Sequence, residues 1–143
     1  SISPKGMVNF FGKEKAEILC SRTPESAYLY AVGPLNFKRF KLGEPAILKS
    51  AHFANAYVRD IIKKRWPEVE PVIATNPQYA YLYARDILKQ RWPEAEPVIA
   101  THPEYSFYYA IYVLDSRWPE AEPAIADHVY LKQYYEERFN CKI

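Results

Sequence analysis

Residues 63–76 read KKRWPEVEPVIATN and residues 89–102 read KQRWPEAEPVIATH. The two stretches differ only at 64/90, 69/95 and 76/102, and a third copy, SRWPEAEPAIAD, occupies 116–127. Trp66, Trp92 and Trp118 therefore stand 26 residues apart. A period of that length marks a small supersecondary unit that cannot bury its apolar face alone and must stack on its neighbours. The register runs outward in both directions. Residues 39–47 fall on 65–73, with Phe40 in place of tryptophan. Residues 24–31 match 77–84 after one inserted residue near Pro34. One tyrosine recurs through the whole series as Tyr30, Tyr57, Tyr83, Tyr109 and Tyr135.

Each period predicts one long and one short helix. Asn76-Pro77 and His102-Pro103 put proline at a helix start, where its fixed φ is suitable and its missing N–H costs nothing. Thr75 with Gln78, and Thr101 with Glu104, offer a capping box there. The long helix is expected over 77–90, with Ala80, Tyr83, Ala84, Ile87 and Leu88 as one buried stripe at i, i+3, i+4, i+7, i+8 spacing. Trp92 precedes a proline and is biased away from αR, so the helix should stop near Arg91. Glu96-Pro97 then opens the short helix. Small residues at Ala54, Ala80 and Ser106 let neighbouring long helices approach. The fold class is all-α: an α-hairpin repeat array, solenoid-like, in a single compact domain. Its expected divisions are an N-terminal cap segment 1–23, the array 24–126, and a C-terminal capping helix and tail 127–143.

The chain has 143 residues, 49% hydrophobic and 25% charged, an ordinary globular composition that excludes disorder. Net charge is +2, too balanced for the basic footprint of a nucleic-acid binder. No apolar run approaches the ~18 residues of a membrane span. Cys20 and Cys141 lack metal-ligand spacing and suggest a reducing, cytoplasmic compartment. Cys20 reads as core, and Cys141 as an exposed thiol. Neither a cofactor nor a metal is expected.

The run RWPEAEPVIA at 91–100 resembles the tandem repeat of uncharacterised proteins encoded by tailed bacteriophages, and GEPAI at 43–47 is similar to a second form of it. The likeness covers about residues 24–126. It implies a phage origin and action in a bacterial cytoplasm, and it brings no catalytic residues.

The repeated columns read as architecture. Arg65, Arg91 and Arg117 end each long helix, where a cation suits the dipole, and can bridge to Glu70, Glu96 and Glu122. Trp66, Trp92 and Trp118, with Tyr57, Tyr83 and Tyr109, read as core, the indole edges partly exposed. His102 and His128 share one repeat position and read as residues at helix caps rather than as metal ligands. No phosphate loop, nucleophile elbow or metalloprotease motif is present.

Function is therefore sought where the units differ. At Arg59, Asp60, Arg85 and Asp86 the outward face is charged, whereas the fourth unit has Phe107, Tyr108, Ile111 and Tyr112 across the corresponding stretch. That quartet is the candidate partner-binding patch, unless the segment 129–139 folds over it through Tyr130, Tyr134 or Phe139. The expected function is non-enzymatic binding of a protein: a host factor or defence protein that it inhibits, a phage protein, or a second copy. The alternatives are single-stranded nucleic acid on Lys63, Lys64, Arg65, Lys89, Arg91 and Arg117, and a small enzyme of unknown reaction.

Overall fold

The computed structural model describes residues 2–143, and those residues form helices and no strand. The helices group into two compact units, Ser1–Ile73 and Ala74–Ile143. Unit 1 contains α1 (Pro4–Phe11), α2 (Lys13–Cys20), α3 (Pro24–Val32), α4 (Glu44–Ile47), α5 (Ala51–Tyr57) and α6 (Glu70–Ile73). Unit 2 contains α7 (Pro77–Tyr83), α8 (Glu96–Ile99), α9 (Pro103–Tyr109), α10 (Glu122–Ala126) and α11 (Val129–Phe139). Short helices alternate with long ones from α3 to α11, as the period requires.

The long helices begin one residue later than the capping boxes predict. The caps are Thr23, Ser50, Asn76, His102 and His128, each accepting the backbone N–H three residues on. Thr101 instead turns its hydroxyl back onto the Val98 carbonyl, 2.7 Å away. A cap must leave the helical region while accepting from N3, and the residue directly before proline already has that extended backbone. The histidines cap through Nδ1, which leaves the ring proton on Nε2.

The long helices also end differently from expectation. The stretch 77–90 is α-helical only to Tyr83, makes one π turn over Ala84–Leu88 and stops at Lys89 in the left-handed region, φ 55°. Val58–Ile62 and Ala110–Leu114 repeat this behaviour before Lys63 and Asp115. The left-handed residue ends the helix before Arg91 is reached. In the first unit Gly33-Pro34 replaces the π turn, and two left-handed residues, Asn36 and Phe37, take up the inserted residue.

The repeat columns are the core. Tyr30, Tyr57, Tyr83, Tyr109 and Tyr135 are buried, as are Ile47, Ile73, Ile99 and Ile125. Ala54, Ala80 and Ser106 have no exposed surface. The predicted stripe holds for Ala80, Tyr83 and Ala84, while Ile87 and Leu88, beyond the start of the π turn, are half-buried. The indole edges are not exposed: Trp66, Trp92 and Trp118 retain 5%, 4% and 2% of their surface.

The register also reaches upstream of residue 24. In α2, Ala16 is buried where later corners have Gly43, Val69, Ala95 and Ala121, and Cys20 is buried in the isoleucine column. Glu17 precedes Tyr30 by the same interval that separates Glu44 from Tyr57. Burial and then the Glu17 carboxylate push the Tyr30 phenol up. The N-terminal segment thus contains a degenerate corner that the residue pattern had hidden.

Candidate functional site

Every completed corner is held by four groups. In unit 2, Arg91 grips Glu96 through Nε and Nη2 at 3.0 and 2.8 Å. The Tyr109 hydroxyl donates to Glu96 Oε2 and accepts from the Trp92 backbone N–H, both at 2.7 Å. The next corner repeats the set with Arg117, Glu122, Tyr135 and the Trp118 N–H. In unit 1 the members are Arg39, Glu44, Tyr57 and the Phe40 N–H. The predicted bridge from Arg65 to Glu70 is present as well, at 2.9 and 3.1 Å.

These bonds shift the titration of their members. Burial pushes Glu44 and Glu96 up, but hydrogen bonds from arginine and tyrosine outweigh it and hold both carboxyls below the ordinary range. For Glu122 the Arg117 bond leads, with the same result. Burial and the Glu122 bond push the Tyr135 phenol up to about 12. Such a network of acid, guanidinium and phenol has structural chemistry: both carboxylate oxygens and the phenol are engaged within the corner. It also engages Arg65, Arg91 and Arg117, three of the six positions that a nucleic-acid surface would need.

Among the described residues no group of three His, Cys, Asp or Glu side chains is arranged to hold a metal, and no helix is long and apolar enough to cross a membrane. Cys20 is buried on α2 with its thiol 3.5 Å from the Met7 sulfur, and burial pushes that thiol up, away from reactivity. Cys141 is half-buried rather than exposed.

The quartet proves to be one end of an aromatic group. Tyr108 lies 5.8 Å from Phe107, 6.4 Å from Tyr112, 5.9 Å from Tyr81 and 6.1 Å from Tyr105, centroid to centroid. Phe107, Tyr108 and Ile111 are half-buried, whereas Tyr112 is 64% exposed. Ile111 and Tyr112 sit in the π turn, so the regular i, i+4 spacing assumed from sequence does not hold beyond Ala110. Tyr81 is buried and accepts a hydrogen bond from Arg85, whose guanidinium stands 5.3 Å over its ring. Sequence reasoning missed Tyr81 and Tyr105. The missing signal was a column: Tyr28, Asn55, Tyr81 and Phe107 share one repeat position, and Tyr28 donates to Asp60 of the following long helix.

Helix α11 exists over the residues foreseen, yet it does not cover this patch by the foreseen side chains. Tyr130 and Tyr134 are 68% and 58% exposed, and Phe139 packs edge-on against Tyr135 at 4.9 Å. The helix buries Leu131 and Tyr135, and residues one position earlier on a helix face elsewhere. No protein-family model, no curated protein and no solved structure matches the chain.

Proposed function

We propose that the chain is a non-enzymatic helical-repeat protein that binds a protein partner through the aromatic surface around Tyr112. One observation carries this reading: a mostly exposed tyrosine continues a packed group of rings on a helix whose counterparts have charged residues there. Pre-ordered aromatic side chains lose little entropy on binding and dominate the energetics of interfaces. The likeness of 91–100 to phage repeats supports a bacterial cytoplasm as the place of action. A host factor or defence protein, inhibited by being bound, is the partner class that fits such an origin.

The test follows from the exposure of Tyr112. Tyr112→Asp is expected to keep the wild-type melt and to lose the protein captured from host cells by the wild type. Tyr108→Ala, by contrast, is expected to lower the melt, because its ring packs on Tyr81. Capture that is unchanged by Tyr112→Asp would refute the reading.

A further inference from the structure

The two units carry opposite charge. Unit 1 holds 12 Lys and Arg against 7 Asp and Glu, a net of +5, and unit 2 holds 7 against 10, a net of −3. Part of the acidic excess of unit 2 lies along α11 and the turn before it. On α11, Tyr130, Tyr134 and Glu137 follow i, i+4, i+7 spacing and lie on one face; Asp127 stands in the turn just before the helix, and all four are exposed. Among the described residues neither Asp127 nor Glu137 is in an ion pair. Two tyrosines bracketed by two carboxylates form a surface that suits a basic partner.

The same repeat positions in unit 1 are Lys49, in the turn before α5, His52 and Ala56 on it, and Arg59 in the π turn that follows. Lys49, His52 and Arg59 are exposed, and the small Ala56 that stands at the position of Tyr134 is buried. Asp127 and Glu137 are separated by the same ten residues as Lys49 and Arg59. Basic groups thus stand at both ends of the unit 1 row where unit 2 has acidic ones, so rows from different molecules are of opposite charge at both ends. Arg59 also holds Asp60 through Nε and Nη2, at 2.8 Å each, which fixes its guanidinium at the surface.

We propose that the protein associates with a second copy of itself, the acidic tyrosine row of α11 in one molecule docking on the basic α5 row of another. The contact is heterologous, because different surfaces meet, and it extends into a head-to-tail chain of molecules unless the rotation closes. It is small and charge-driven, hence weak and sensitive to salt. It uses a row separate from the Tyr112 patch, so its failure would leave the reading above untouched.

Sedimentation velocity over a concentration series, at low and at high ionic strength, tests the proposal. The wild type is expected to sediment faster with concentration at low salt only. Asp127→Lys/Glu137→Lys should weaken the association by about tenfold or more, as should Lys49→Glu, with unchanged circular dichroism melts because these groups are exposed. Mixing the two variants should restore pairwise association, since the unaltered α5 row of the first then meets the unaltered α11 row of the second. Tyr130→Ala/Tyr134→Ala should weaken it at low salt. A monomer under all conditions overturns the proposal, even one that binds a polylysine peptide, and so does association that survives both charge variants or high salt.

Discussion

The α9 and α11 helices hold the same tyrosine in the same bond and end in different ways. Tyr109 and Tyr135 both reach back to the N–H of a corner tryptophan, at 2.7 Å in each case. After Tyr109 the chain makes a π turn and becomes left-handed at Asp115, whereas α11 stays regular and becomes left-handed at Asn140, one residue sooner. A π turn is the way a helix absorbs a single extra residue. The comparison therefore separates what the repeat fixes from what it tolerates. The interval from corner to tyrosine is constant; the length of helix beyond the tyrosine is not.

Breaking the constant part should cost most. Trp92→Ala removes an indole that is 4% exposed and packed 5.1 Å from Tyr83. A loss of about 3–5 kcal/mol in urea unfolding is expected. Tyr109→Phe keeps the ring and deletes the hydroxyl, leaving the Trp92 N–H without its partner and Glu96 with Arg91 alone. About 1–3 kcal/mol should go, and Tyr135→Phe should match it if the staple is the same in both helices.

The variable part gives smaller effects of the opposite sign. Lys89 sits at φ 55°, where a Cβ is strained, while Asn140 at φ 50° is a residue type that tolerates the region. Lys89→Gly should therefore raise stability by about 1 kcal/mol, and Asn140→Gly by less; equal gains would deny the distinction. Cys141→Ser, beyond the last helix, should leave the urea midpoint within about 0.5 kcal/mol of the wild type.

pH acts on the staple from both sides. Glu44, Glu96 and Glu122 have carboxyls held below the ordinary range in the folded chain. Their stabilisation is thus complete above the unfolded value near ~4.3 and is lost as pH falls through the lower folded values. Tyr135 is raised to about 12. Its contribution is complete below the unfolded value near ~10 and disappears as pH climbs through the folded one. Thermal melts should fall at both extremes, and Tyr135→Phe should flatten the alkaline limb and, because Glu122 loses one of the bonds that lower it, also reduce the acid limb.

Much of this was legible because the repeat is written in large, unambiguous residues. Proline marks the helix starts, tryptophan and tyrosine mark the core, and the Arg–Glu pairs were visible as columns. The π turns were not legible. A single extra residue changes no hydrophobic letter, and Ala84-Arg85-Asp86 reads as ordinary helix. The caps were legible from proline, which placed the helix starts directly after Asn76 and His102; only the capping boxes at Thr75 and Thr101 pointed one residue too early. The α2 corner escaped because it shares function without identity: Cys20 stands for isoleucine and Ala16 for valine or alanine. On the candidate surface, sequence singled out the four residues that break the repeat but could not tell that Tyr108 packs inward while Tyr112 faces out.

The tyrosine staple also sets an order of events during synthesis. Each tyrosine lies 17 residues after the N–H that it binds, in Phe40–Tyr57, Trp92–Tyr109 and Trp118–Tyr135 alike. A corner leaving the ribosome stays unlatched until the following long helix has emerged, a delay of roughly one to three seconds at about 5–20 residues per second. Contacts of such short span cost little loop-closure entropy, so each latch can close as soon as its tyrosine arrives. The nascent chain is thereby zipped from its N-terminal corner onward, with no more than about one repeat of apolar surface waiting at a time.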